Sequence, residues 1–359
     1  MRRVRAFLAV TSLSTLLTTT ALAGPVGERH LVTTDATASL RDAEHRPQVR
    51  VTIWYPAAEG AVEQRIDLGP PGNPLFLVGA VAPDAPFADA RRRPMVLFSH
   101  GFGGTARMMG WFGVALARHG YVVVAVDHPG NNGMDKMTAA GAVLPWDRTE
   151  DLRAALKAAR ADPGIGPHLD ASRVGISGFS AGGFTALVGV GARVDMGRFL
   201  AFCRQHPDDG VCKPQKEFAL SMDDMAHALA SPELAPEAAR AGDDHHIPGV
   251  RAAFAIAPAI VQGLAPEGLA KITVPMAIIL GDADPVAPPD TNGLVAARDI
   301  PHAELKVLAG VGHYDFLSAC TPAGFAAAPI CSAKVAQDPT HRAAIDMAVG
   351  FFDKALGAP

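Results

Sequence analysis

Three residue types spread along this chain could together cleave an acyl bond. Gly178-Phe179-Ser180-Ala181-Gly182 sets a serine between glycines in a G-x-S-x-G pattern. Before it, Arg173-Val174-Gly175-Ile176-Ser177 is a short apolar run of strand type. After it, Gly183-Phe184-Thr185-Ala186-Leu187-Val188 reads as the start of a helix. A strand that turns into a helix within two residues holds the turn residue strained and exposed. Side chains larger than glycine on either side would collide with the strand and the helix. A serine at that apex presents its hydroxyl at the tip of a sheet, close to the positive end of a helix, and this suits a nucleophile.

A serine hydroxyl attacks poorly at neutral pH. It needs a base within hydrogen-bond reach, and the base needs an acid that fixes its tautomer and supports its charge. In a parallel sheet all of them must come from loops after strand C-termini. His313 follows a strand pattern directly, stands beside Gly312 and completes the chain order serine, acid, histidine. His100 and His128 also follow strand patterns, but they precede Ser180 and sit in glycine turns, where structural roles are expected. Asp282, Asp284 and Asp290 all follow the strand pattern that ends at Leu280. Asp284, at the turn before Pro285, is the favoured acid, whereas Asp282 lies nearer the strand and could cap the loop instead. Asp315 is too close to His313 in sequence to reach its far nitrogen. Attack on a carbonyl also creates an oxyanion that needs two donors. The backbone N–H of Ala181 and that of Phe102, in the loop His100-Gly101-Phe102-Gly103-Gly104, are placed to supply them. The same loop lacks a G-x-x-x-x-G-K-[ST] pattern and a nearby lysine, so it does not read as a phosphate cradle.

The elements needed to bring these residues together can be read in order. Gln48-Val49-Arg50-Val51-Thr52-Ile53-Trp54-Tyr55 alternates polar and apolar residues, which predicts an edge or antiparallel strand with one wet face. Residues 69–90 are rich in Pro, Gly and Ala and read as a loop. Pro94 to Ser99 and Tyr121 to Val126 are apolar runs suited to central strands covered on both faces. Helices are predicted over about Met108–His119, Asp147–Ala161, Asp290–Asp299 and Pro339–Leu356, with further strands at Val250–Ala257, Val274–Leu280 and Glu304–Leu308. Strand and helix alternating through short loops predict one α/β domain, residues 24–359, with a mostly parallel central sheet flanked by helices. Residues 193–248 are too long and irregular for a plain connection and read as a cap insertion over the site. His245-His246 within it reads as solvated loop, since adjacent histidines rarely face one metal ion together.

The start of the chain has the form of an export signal. Arg2, Arg3 and Arg5 precede the apolar run Ala6 to Leu17, and Ala21-Leu22-Ala23 gives an A-x-A end, so cleavage is expected after Ala23. The run is too short for a membrane span, and no stable membrane anchor is expected. Loss of residues 1–23 removes three arginines and no acids, which takes the net charge from −4 to −7. With no basic stretch, nucleic acid and anionic membranes are poor partners. A monomer in the periplasm or outside the cell is expected. Four cysteines form two local pairs, Cys203 with Cys212 and Cys320 with Cys331, which suggests two short disulfide loops in an exported protein.

Ser99-His100-Gly101-Phe102-Gly103-Gly104, Gly178-Phe179-Ser180-Ala181-Gly182, Asp284-Pro285-Val286-Ala287-Pro288 and Gly312-His313-Tyr314-Asp315-Phe316 together resemble the α/β-hydrolase superfamily. With Ile53-Trp54-Tyr55-Pro56 and Asp127-His128-Pro129-Gly130, the chain is similar over about residues 48–356 to a bacterial group within it. That group is described as platelet-activating-factor acetylhydrolase-like or as predicted dienelactone hydrolases. It departs from true dienelactone hydrolases, which carry a cysteine nucleophile. It departs from animal platelet-activating-factor acetylhydrolases, whose acid would stand where this chain reads Ile256-Ala257-Pro258-Ala259. The later position of Asp284 is similar to bacterial cutinases and polyester hydrolases. The resemblance implies an α/β-hydrolase fold and a serine esterase that works through an acyl-enzyme and needs no metal or organic cofactor. The export signal makes it a secreted one, and the apolar stretches of the cap, such as Met225 to Ala230, fit a covered pocket that favours small-molecule, short-chain acyl esters. A polyester hydrolase, a peptidase or amidase, and a non-catalytic binding protein on the same fold are the alternatives.

Overall fold

The computed structural model describes residues 24–332 and 335–359, so the expected signal segment lies outside the described residues. Its strands are β1 (Val26–Thr34), β2 (Gln48–Pro56), β3 (Gln64–Arg65), β4 (Phe76–Leu77), β5 (Ala80–Pro83), β6 (Arg93–Ser99), β7 (Val122–Asp127), β8 (Leu169–Phe179), β9 (Val250–Ile256), β10 (Met276–Gly281), β11 (Glu304–Leu308) and β12 (Ala319–Cys320). Ten form one sheet in the order β11-β10-β9-β8-β6-β7-β2-β1-β5-β3, while β4 and β12 form a small ribbon. From β11 to β7 all neighbours are parallel. β6, β7, β10 and the C-terminal parts of β8 and β9 are covered on both faces and are apolar, whereas β11 at the edge is exposed. Val122, Val124 and Val126 pack with helices Arg148–Ala161 and Ala181–Gly189, and Val123 and Ala125 pack on the other side with helices Gly110–His119 and Gln337–Leu356.

β6 is followed by β7 on one side and by β8 on the other, so the winding reverses between β6 and β8. Loops leaving the C-terminal ends of two such strands diverge and open a crevice, which is where open α/β sheets bind ligands. Ser99 at the end of β6 is in register with Gly178 at the end of β8. The His100 loop and the Ser180 turn therefore leave the sheet side by side.

Two expectations about the strands are corrected. β2 is antiparallel to both β1 and β7, so it is antiparallel as predicted but interior, and its polar face meets water only at Gln48 and part of Arg50. That face is covered by polar partners. Arg50 pairs with Asp135, Thr52 Oγ1 lies 3.3 Å from His30 Nδ1, and Trp54 Nε1 donates to the buried Glu28 carboxylate at 2.9 Å. Residues 69–90 are not loop throughout, since β5 pairs in parallel with β1 and β4 pairs antiparallel with β12.

Residues 193–248 hold helices Met196–Gln205, Met222–Ala230 and Ala235–Ala238. Of the two histidines here, His246 is exposed, but His245 is buried and its Nε2 donates to the Arg240 carbonyl at 2.8 Å. This ring anchors the segment instead of meeting solvent. Both cysteine pairs are joined, Cys203 to Cys212 and Cys320 to Cys331, with Cα separations of 5.2 and 5.9 Å. Among the described residues no helix is long and apolar enough to cross a membrane.

Candidate active site

Ser180 sits between β8 and helix Ala181–Gly189 with φ 57° and ψ −117°. A non-glycine residue held there costs on the order of 1–3 kcal/mol, which the surroundings must supply. They do so through the backbone. Ser180 N–H donates to the Ile256 carbonyl at 2.9 Å, and its carbonyl accepts from Phe184 at 3.1 Å and Ala259 at 3.2 Å. The flanking glycines are required by contact. A Cβ on Gly178 would lie 2.2 Å from the Gly182 carbonyl oxygen, and one on Gly182 would lie 1.8 Å from that of Ser99.

His313 opens a short helical turn, His313–Phe316, that follows β11. Its Nε2 stands 2.9 Å from Ser180 Oγ and its Nδ1 2.6 Å from Asp284 Oδ2. An ionised carboxylate can only accept, so Nδ1 carries the proton and Nε2 is left to receive the serine's. Asp284 is fixed in turn, because its Oδ1 accepts the N–H groups of Val286 and Ala287, both at 2.9 Å. All three side chains are buried. Asp282 faces elsewhere and accepts the Gly310 N–H at 2.6 Å, and Asp315 accepts that of Gly312 at 2.6 Å. Asp290 lies in the turn Pro289–Thr291. Among the described residues, neither Phe102 N–H nor Ala181 N–H reaches a protein acceptor. Both residues line the space beside Ser180.

The turn that carries His313 is held from behind. Trp111 Nε1 donates to the Phe316 carbonyl at 3.0 Å, and Gln337 and His341 both donate to that of Leu317 at 2.9 Å. His341 stacks on Trp111, and burial pulls its pKa down to about 4, so its ring is neutral.

Behind the Phe102 loop lies a second serine–histidine–aspartate line. Ser99 Oγ is 2.9 Å from His128 Nε2, and His128 Nδ1 is 2.8 Å from Asp151 Oδ2. Arg41 closes it with two 2.8 Å bonds to Asp151. This line does not read as a nucleophilic site, because Ser99 and His128 are fully buried and border neither space beside Ser180. It supports the loop instead. The His128 backbone N–H donates to His100 Nε2 at 3.2 Å, His100 Nδ1 donates to the Gly101 carbonyl at 2.6 Å, and Arg148 donates to the carbonyl of His100. Burial, helped by His128 and Arg148 around the first ring and by Arg148 and Arg41 around the second, pushes the pKa of His100 and His128 well down. Gly103 N–H is held by Asn131 Oδ1 at 2.9 Å. Asn131, Arg41, Arg148 and Asp151 carried no local signal of this role. Each reads in sequence as an ordinary loop or helix-surface residue.

A family model described as the alpha/beta hydrolase family matches residues 96–328, more than half of the chain. The chain belongs to that family. The fold of this hydrolase is also that of a solved structure, a ferulic acid esterase from Streptomyces cinnamoneus. The two are similar over 94% of this chain and 91% of that one, with a TM-score of 0.57 and 20% sequence identity. No curated protein matches this hydrolase. Among its described residues no group of three or more His, Cys, Asp or Glu side chains is arranged to hold a metal ion.

Proposed function

We propose that this hydrolase is a serine carboxylic-ester hydrolase acting on short-chain acyl esters. The observation that carries the reading is the unbroken line Ser180 Oγ, His313 Nε2, His313 Nδ1, Asp284 Oδ2, with contacts of 2.9 and 2.6 Å. Ser180 Oγ attacks the ester carbonyl as His313 Nε2 takes its proton. The carbonyl π electrons move to oxygen, and the N–H groups of Phe102 and Ala181 hold the resulting oxyanion. Collapse breaks the bond to the alcohol oxygen, which leaves with the proton from His313. Water then attacks the acyl-enzyme with His313 again as base, and the acid and free Ser180 result. Asp284 keeps the tautomer and supports the imidazolium.

Residues 193–248 act as a cap, since Met196, Phe199, Phe218, Leu220, Met222 and Met225 cover the apolar side of Ser180. A covered cavity of about 90 Å³ suits a small or flexible acyl group better than a polymer. The resemblance to the platelet-activating-factor acetylhydrolase-like group points the same way. The two disulfides fit an extracellular or periplasmic protein, and export through residues 1–23 would bring the chain there.

A fluorophosphonate probe should label the protein at Ser180 alone, read by peptide mass, because Ser99 is sealed from solvent. p-Nitrophenyl acetate and butyrate should be turned over, and the matching anilides far more slowly. Labelling elsewhere, or no ester turnover by folded protein, refutes the proposal, and equal rates on the anilide reassign it to an amidase. Asp282→Asn only loosens the Gly310 contact, so kcat/KM should stay within about threefold of wild type. A much larger loss would move the acid's role toward Asp282.

A further inference from the structure

Resting on the ester-hydrolase reading, we infer that Glu217 selects the alcohol half of the substrate by charge, so that the site takes esters whose leaving alcohol bears an ammonium group. Two cavities meet at Ser180, and both are bordered by Phe102, Gln215 and Val286. The larger is walled by Met196, Phe199, Phe218, Met222 and Met225 of residues 193–248. The smaller, about 60 Å³, is walled by His313, Tyr314, Glu217, Met108 and Met109, among others. In ester cleavage the imidazolium gives its proton to the departing oxygen, so the alcohol leaves on the side that the imidazole faces. His313 borders the smaller cavity and not the larger one. The alcohol half therefore lies in the smaller cavity and the acyl half in the larger.

Glu217 is the one carboxylate among the described walls of the alcohol cavity. Its placement is built in. A Cβ on Gly103 would lie 2.6 Å from Glu217 Cβ, and Gly103 has φ +61°, so the bare backbone of the Phe102 loop is what seats the Glu217 stem. Tyr314 Oη donates to Glu217 Oε1 at 3.2 Å, and Tyr314 directly follows His313. The Tyr314 ring already draws one cation, since Lys216 Nζ lies 5.1 Å from its centroid. Lys216 is exposed, donates to the Pro329 carbonyl and is not part of the cavity wall, so it does not fill the place beside the carboxylate. A carboxylate, an aromatic ring and two thioethers around a small space favour a compact ammonium group and disfavour an anion.

The test compares kcat/KM for choline acetate ester, for its neutral isostere 3,3-dimethylbutyl acetate, and for the acetate ester of 2-hydroxyethanesulfonate. Wild type should prefer cation over neutral over anion, by roughly tenfold per step. In Glu217→Gln the whole span should contract to about threefold, and in Tyr314→Phe it should contract in part. An even response in wild type, or an order that survives Glu217→Gln, overturns the inference. Should that variant fail to fold, wild type alone decides. Tetramethylammonium should compete with p-nitrophenyl acetate far better than tert-butanol does, and equal competition overturns the inference as well. Wild type that cleaves p-nitrophenyl acetate without any charge order removes only the role of Glu217. Wild type that cleaves no ester removes the hydrolytic reading, and this inference with it.

Discussion

Ser180→Ala should leave a folded protein whose kcat on p-nitrophenyl acetate is about 10⁴- to 10⁶-fold lower, with KM little changed. The fold survives because the bonds that hold the turn are made by backbone. Ile256, Phe184 and Ala259 bond residue 180 through its N–H and carbonyl, and the hydroxyl's contact is with His313 Nε2. The variant still binds substrate, because the cavities and the donors at Phe102 and Ala181 are unchanged. What it lacks is the atom that forms the acyl-enzyme, so the loss falls on the chemical step. Asp284→Asn should cost about 10³- to 10⁴-fold by another route. An amide in that place is held by the N–H groups of Val286 and Ala287 but no longer fixes the proton on Nδ1. Because the three residues act as one unit, the double variant should be scarcely slower than Ser180→Ala. Circular dichroism and the release of p-nitrophenolate check both points. Folded Ser180→Ala that retains a tenth of wild-type turnover would end the proposed mechanism.

How much of this was legible in sequence follows from the range of each constraint. The Ser180 turn is local. Contacts of 2.2 and 1.8 Å at Gly178 and Gly182 leave glycine as the fitting residue, so five letters carry the geometry. His313 could be read because order along the chain and position after a strand narrow thirteen histidines to one. The choice between Asp282 and Asp284 was harder. Both follow β10, and it is the fold of the turn, with Val286 and Ala287 bonding back to Asp284, that aims one carboxylate at His313 and the other at Gly310. β2 misled for a related reason. Alternation reports that one face is polar, not that water covers it, and here Asp135 and Glu28 cover it. The buried support of the Phe102 loop was out of reach. Arg41 and Asp151 are 110 residues apart, and an aspartate on an amphipathic helix ordinarily faces solvent.

That support makes the second large prediction. Asp151→Ala should lower the free energy of unfolding by about 3–5 kcal/mol, read from the midpoint of a urea curve at pH 7. Asp151 takes two bonds from Arg41 and one from His128, all at 2.8 Å and all out of water. Its removal leaves a buried guanidinium without its carboxylate and His128 without the acceptor that fixes its tautomer. Two carboxylates remain near Arg41, Asp35 at 3.9 Å and Asp147, and Asp147 is the one whose protonation can respond. Asp147 lies 3.7 Å from Arg41, but burial, opposed by Arg41 and reinforced by Glu237, pushes its carboxyl up to about 8, which favours its protonated form. Because this folded-state value lies above the unfolded one, the group lowers stability as pH rises from about 4 toward 8. Once Asp151 is gone, Asp147 should release its proton to solvent and pair as a carboxylate with Arg41, which recovers part of the loss. Asp147→Asn removes that fallback. The double variant should therefore lose more than the two single losses added together, by about 1 kcal/mol or more. Strict additivity would mean that Asp147 does not take the place of Asp151 beside Arg41. An unchanged midpoint in Asp151→Ala would mean that Asp35 and Asp147 satisfy Arg41 without it, leaving the Phe102 loop to be held by Arg148 and Asn131.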